Sequence, residues 1–164
     1  MTDQSYDKSY LGKLRKLIGK EKVIINAARA VIFDNVGHLL LIRRRDNRRW
    51  AMPAGAMELE ESIYDCVMRE VLEETGLTVQ KAELFSIWSD PVKTSIVTEY
   101  GDPYHLVVFV FHITDWSGKL IKLTNETIDA QFFPLDELPE IAQYYHKTIL
   151  DLETYKLNGR LILN

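Results

Sequence analysis

The chain has 164 residues, with 20 Lys plus Arg against 24 Asp plus Glu and a formal net charge of −4. That length is one domain's worth and buries roughly 70% of the surface its unfolded chain exposes, so a core needs no disulfide or metal staple. Hydrophobic residues at 46% and charged residues at 27% exclude a mainly disordered chain. An isoelectric point near 5.6 argues against bulk binding to DNA or an anionic membrane. The single cysteine, Cys66, cannot form an internal disulfide, which fits a reducing compartment. The longest apolar run, 106–111, falls far short of the about 20 residues of a membrane helix. The first seven residues carry acids and no apolar core, unlike a secretory signal. A cytoplasmic protein with no membrane or DNA partner is expected.

The first periodic segment sets Tyr10, Leu11, Leu14, Leu17 and Ile18 at helical spacing, which predicts a short amphipathic helix docked on the domain or on a second copy in a homodimer. Val23 to Phe33 and His38 to Ile42 read as a hairpin around Asn35-Val36-Gly37. After Trp50 the run Pro53-Ala54-Gly55-Ala56-Met57 breaks regular structure. Ser62 to Thr75 then reads as a helix, with Ser62 and Asp65 as a capping box and Gly76 as a left-handed C-terminal cap. Leu77–Trp88, Tyr104–Ile113 and Ala130–Phe133 read as strands, Ser117-Gly118 as a turn, and 135–141 and 144–157 as helices. Strands with a helix in the middle and helices late predict a mixed α/β domain.

The middle helix carries acids on the wrong side. At about 100° per residue, Ile63, Cys66, Val67 and Val71 form an apolar stripe, and Glu70 and Glu74 project into its centre, with Glu73 at its edge. Carboxylates facing a core are costly unless paired or bound to a cation. Most acidic runs are solvated faces, but here Arg69 adjoins the glutamates, Glu61 lies about one turn before the stripe and a glycine-bearing loop precedes it. Converging carboxylate oxygens suit Mg²⁺ or Mn²⁺, whereas one cysteine and four scattered histidines offer no zinc spacing.

Gly55, five residues, Glu61, seven residues and then Arg69-Glu70-Val71-Leu72-Glu73-Glu74-Thr75-Gly76-Leu77 resembles the signature box of the Nudix (MutT-like) hydrolases. Chance gives such a match on the order of 10⁻⁹ per start position. The box spans 23 residues, 55–77. A looser likeness runs from Ala27 to about Leu138 and includes Trp50-Ala51-Met52-Pro53; the N-terminal helix lies outside it. One departure is Pro53-Ala54-Gly55, where many members have two glycines.

The resemblance implies an α/β fold, the Nudix-type α/β/α sandwich with a mixed sheet, here with an extra N-terminal helix. It makes residues 1–164 a single Nudix hydrolase domain, with 1–20 the N-terminal docking helix. It further implies a Mg²⁺-dependent hydrolase, with Mn²⁺ able to substitute, that cleaves the diphosphate linkage of a nucleoside diphosphate joined to another group. On that pattern Glu70 and Glu74 hold the metal, Glu73 is a further ligand, a water-mediated contact or the catalytic base, and the backbone carbonyl near Gly55 completes the shell. Arg69 orients the glutamates, and Glu61 pairs with Arg69 or reaches the metal through water. The segment from Thr124 to Phe133 resembles the family's late acidic loop, making Glu126 the first candidate for an extra ligand or base and Asp129 the second.

Five arginines crowd into 43–49. Arginine forks bind phosphate, and Arg43 and Arg45 are the candidates to face substrate. Arg29 interrupts an apolar strand; it pairs with an internal acid, the preferred reading, or lines the substrate pocket. Trp88, with Tyr100, Tyr104 and His105, offers rings to stack a base. No substrate signature decides between ADP-ribose or a nucleotide sugar, which is preferred, and an oxidised nucleoside triphosphate. A non-catalytic nucleotide sensor, an mRNA-decapping enzyme and a diphosphate isomerase are minor alternatives. The charge is uneven: Glu58 to Glu74 hold seven acids and one base, a local charge of −6, leaving +2 for the rest. Glu74→Gln is expected to lower turnover by orders of magnitude with the fold intact, as read by circular dichroism and a hydrolysis assay. Near-normal metal-dependent activity would contradict it.

Overall fold

The computed structural model describes residues 8–98 and 100–164, so the reading of the first seven residues lies outside the described part. In chain order the elements are α1 (Tyr10–Ile18), β1 (Val23–Ile32), β2 (Leu39–Arg44), β3 (Trp50–Ala51), β4 (Ala54–Ala56), α2 (Ile63–Thr75), β5 (Thr78–Trp88), α3 (Pro91–Thr94), β6 (Ser95–Val97), β7 (Pro103–Ser117), β8 (Thr127–Phe133), α4 (Gln143–Asn158) and β9 (Ile162–Leu163).

Residues of β1 alternate between two cores. Ala27 and Val31 join Phe85, Val110 and the α4 residues Tyr145, Ile149 and Leu152. Ala28, Ala30 and Ile32 join Phe111 and the α2 residues Cys66, Val67 and Val71. Burial on both faces makes this stretch an almost continuous apolar run. β1 pairs in parallel with β7 and antiparallel with β4. With β5, β6 and β9 they form a six-stranded mixed sheet, ordered β4-β1-β7-β5-β9 with β6 beside β7. Because α2 packs on one face and α4 on the other, the architecture is an α/β/α sandwich. No helix among the described residues is long and apolar enough to cross a membrane.

The expected hairpin does not form. Its turn exists, with the Asp34 carboxylate accepting the N–H groups of Val36 and His38 at 3.0 and 2.8 Å, but β1 and β2 then part. Both edges of β1 are already taken by β7 and β4. β2 therefore enters a separate three-stranded sheet, β3-β2-β8, and pairs beside the end of β1 through a Phe33–Leu39 bridge. Residues 135–141 are turn and coil, not helix, because Pro139 supplies no N–H and holds the residue before it extended. Leu138 and Ile141 still pack on the α4 side of the sheet.

At the N-terminus, α1 is held by a buried arginine more than by an apolar stripe. Leu17 is 85% exposed, whereas Arg15 is 8% exposed. The Arg15 guanidinium donates to Tyr104 Oη at 3.0 Å and to the carbonyls of Pro103, Glu21 and Gly19 at 2.6, 2.7 and 3.1 Å. Its Cζ stands 4.2 Å from the Tyr104 ring centroid. Tyr10 N–H also donates to Glu58 Oε2 at 2.7 Å, tying the helix to the loop before α2.

Candidate active site

α2 delivers its acids in a fixed orientation because both ends are capped. Ser62 Oγ accepts the Asp65 N–H at 3.0 Å, Asp65 Oδ2 accepts the Ser62 N–H at 3.2 Å, and Gly76 closes the helix at φ 74°. Cys66, Val67 and Val71 are buried toward the sheet, and Glu70 and Glu74 are buried with them, at 6% and 1% exposure. The Glu74 carboxylate accepts the Ala54 N–H at 2.9 Å. The Glu70 carboxylate lies so close to Gly55 that a Cβ there would stand 2.0 Å from its Cδ and Oε1. The glycine is therefore required by a close approach, not by an unusual backbone angle.

The third acid arrives from the other sheet. Glu126 sits on the loop entering β8, and Arg45 braces that loop. The Arg45 N–H donates to the Glu126 carbonyl at 2.8 Å, Nε to the Asn125 carbonyl at 3.1 Å and Nη2 to the Thr124 carbonyl at 2.8 Å. One carboxylate oxygen from each of Glu70, Glu74 and Glu126 lies within 4.8 Å of the others. Three hard oxygen donors, two of them out of water, are a donor set that fits a divalent cation.

Arg69 binds the remaining acids of the box. It forks Glu61, with Nε to Oε2 at 3.0 Å and Nη2 to Oε1 at 2.8 Å. Nη1 reaches Glu70 Oε1 at 2.7 Å and Glu73 Oε2 at 3.1 Å, and Nη2 also donates to the Ala56 carbonyl at 3.1 Å. The Arg69 fork holds the Glu61 carboxyl below its ordinary range. Burial pushes Glu70 up to about 7, aided by the charges of Glu126 and Glu73 and opposed by Arg69. Burial and the Glu70 charge raise Glu74 well above the usual carboxylate range, against the pull of Arg44 and the Ala54 N–H. Cys66 is pushed up to about 12, first by burial and then by the neighbouring acids, so its thiol is a packing group.

The other sequence candidates are placed as follows. Glu73 is half-exposed and bound to Arg69, outside the cluster of three. Asp129 faces Lys122 at 3.6 Å and is likewise outside it. Arg43 donates to the Arg48 carbonyl at 3.0 Å on the exposed side of β2. Trp88 is 3% exposed inside the core with no free face, and Tyr104 is 3% exposed beneath Arg15. Arg29 does not pair with an internal acid as preferred: among the described residues its side-chain partner is Thr148 Oγ1 at 3.3 Å. Burial of the flanking β1 residues on both faces leaves no carboxylate beside it. Sequence reasoning passed over Arg44, whose guanidinium forks Asp46 at 3.0 and 2.6 Å and whose charge acts on Glu74. The missed signal was register: Arg44 is the last β2 residue and stands opposite Thr127, next to Glu126.

The NUDIX domain profile matches residues 24–152 of this chain, a span that holds all three clustered carboxylates. The chain belongs to the NUDIX family. An ADP-ribose pyrophosphatase of Methanocaldococcus jannaschii is 31% identical over 94% of the chain and 90% of that protein. A MutT-like protein of Streptomyces ambofaciens is 32% identical over 74% of the chain and 71% of its own length. Among solved structures, a MutT protein from Bacillus halodurans superposes with a TM-score of 0.60 at 28% identity, covering 78% of this chain and 80% of that one. The protein is thus a Nudix hydrolase, and α1 and β9 lie outside the matched span.

Two outcomes are expected. In this Nudix hydrolase Gly55→Ala displaces Glu70, lowering divalent-metal affinity by about 10- to 100-fold with the far-ultraviolet spectrum retained, as read by metal titration. The second concerns pH. Folded Glu70 keeps a proton up to about 7 that the unfolded chain releases near 4.5. Its contribution to stability is therefore full below about 4.5 and is lost as pH rises through 7. The Tm of chelator-treated protein should fall between pH 5 and pH 8, and Glu70→Gln should flatten that slope.

Proposed function

We propose that the protein is a Mg²⁺-dependent hydrolase of the diphosphate linkage in a nucleoside diphosphate joined to another moiety, with ADP-ribose or a nucleotide sugar as substrate. The observation that carries this reading is the convergence of Glu70, Glu74 and Glu126 within 4.8 Å, two of them buried. When bound, Mg²⁺ neutralises charge on the bridging oxygens and acidifies the attacking water. Glu70 and Glu74 hold it, Arg69 fixes the orientation of Glu70, and Gly55 leaves room for that carboxylate. Glu126, the least buried of the three, is our candidate to accept the water's proton. Arg44 presents its charge beside Glu74, where the substrate's phosphates meet the cation.

The preference for ADP-ribose rests on the archaeal relative of that name, which aligns with nearly the whole chain. Residues 1–164 are read as one catalytic unit. A Mg²⁺-dependent screen of ADP-ribose, nucleotide sugars, dinucleotides and nucleoside triphosphates, with products identified, tests the proposal. Cleavage of ADP-ribose to AMP and ribose 5-phosphate is the expected outcome. Turnover of triphosphates alone would replace the substrate, and no turnover of any diphosphate would favour a sensor. Glu126→Gln should lower kcat by about 10²- to 10⁴-fold, whereas Asp129→Asn should leave it within about threefold.

A further inference from the structure

Two arginines of this chain are buried to nearly the same degree and are treated very differently by the fold. Arg15, 8% exposed, donates to four oxygen acceptors. Arg29, 9% exposed, donates from Nη1 to Thr148 Oγ1 at 3.3 Å, and its Nε has no acceptor. No acid stands within ion-pair distance of Arg29 among the described residues. A guanidinium carries five N–H donors, and a desolvated cation without an anion is costly.

What surrounds Arg29 is aromatic. Its Cζ stands 5.0 Å from the ring centroids of both Tyr144 and Tyr145. Ring faces attract the cation but accept none of its in-plane N–H groups, so the donor edge stays open. Tyr145 is 7% exposed and Tyr144 is 40% exposed, which makes Tyr144 the solvent-facing wall.

The position of Arg29 in its strand relates it to the carboxylates. Arg29 lies opposite Ala54 in the β1–β4 ladder, and the Ala54 N–H donates to Glu74 at 2.9 Å. Tyr145 lies within electrostatic reach of both Arg29 and Arg44. Arg44 has Asp46 as its anion; among the described residues Arg29 has none.

We propose that Arg29, backed by the adjacent rings of Tyr144 and Tyr145 and bonded to Thr148, forms an anion subsite that takes a phosphate of the substrate outside the carboxylate cluster. It rests on the reading of the protein as a diphosphate hydrolase. A diphosphate brings two phosphoryl groups, and the one remote from the cation needs donors of its own. The planar fork of a guanidinium matches two phosphate oxygens. The tyrosines hold the cation in place without consuming its hydrogen bonds, so the donors are already oriented when the anion arrives.

The test compares the native chain with Arg29→Leu and Arg29→Lys. On the diphosphate substrate, Arg29→Leu should raise KM by about tenfold or more with kcat within about threefold, and Arg29→Lys should fall between. With chelator present, inorganic pyrophosphate should raise the Tm of the native protein, leave Arg29→Leu unmoved and shift Arg29→Lys less. The Tm of Arg29→Leu without ligand should equal or exceed the native value, because an unpaired buried cation has been removed. A lowered Tm with native KM would assign Arg29 to packing and overturn the proposal. So would a pyrophosphate shift in Arg29→Lys equal to that of the native chain, a readout that holds even if Arg29→Leu fails to fold. The pyrophosphate arm needs no turnover, so it separates failure of the subsite from failure of the hydrolase reading.

Discussion

Two glutamates on the face of a helix that packs into the core are the constraint around which the rest of the molecule is arranged. A carboxylate removed from water costs several kcal/mol unless a counter-charge or hydrogen bonds replace its hydration. Glu70 receives Arg69 and the space left by Gly55, and Glu74 receives the Ala54 N–H and the nearby charge of Arg44. Neither partner set neutralises the pair completely, as the raised positions of both carboxyls show. The residual demand for positive charge is what a divalent cation meets. A divalent cation held by these two side chains would link metal binding to folding stability.

The two sheets divide the labour of meeting that constraint. The six-stranded sheet carries β4 at its edge, where an N–H not used by β1 is free to turn toward Glu74. The three-stranded sheet brings Glu126 through the start of β8 and Arg44 through the end of β2. Only because β2 leaves β1 and pairs with β8 do these residues meet α2. The crowded arginines of 43–49 thus have separate tasks: Arg44 forks Asp46 and acts by its charge on Glu74, Arg45 ties down the Glu126 loop, and Arg43 bonds backbone on the outside.

The electrostatic layout is sharper than the net charge of −4 suggests. A strongly negative box is set against Arg69 on its own helix and Arg44 at the end of β2, and the two best-buried arginines outside the box differ in how completely the fold satisfies them. Arg15 is fully used in holding α1 to the start of β7. Arg29 is held against two adjacent aromatic rings with its Nε unpaired among the described residues, and natural proteins accept this kind of local cost at places that serve a ligand.

Much of α2 was legible in the chain itself. Its caps, apolar stripe and inward-facing acids follow from local spacing, because helix periodicity and capping depend on residues three or four apart. The family followed from the box between Gly55 and Leu77. Three things were not legible. The hairpin reading failed because local turn chemistry says nothing about which edge of β1 is already occupied. The helix expected over 135–141 failed because Pro139 overrode an apolar pattern. The Thr148 partner of Arg29 and the Glu74 carboxylate on which the Arg44 charge acts were out of reach because they come from helices tens of residues away. Sequence by itself determined the charge-bearing helix, its metal-suited chemistry and the family. Only the tertiary structure decided which late acid completes the cluster and which arginine faces it, since those depend on long-range strand pairing that no local periodicity encodes.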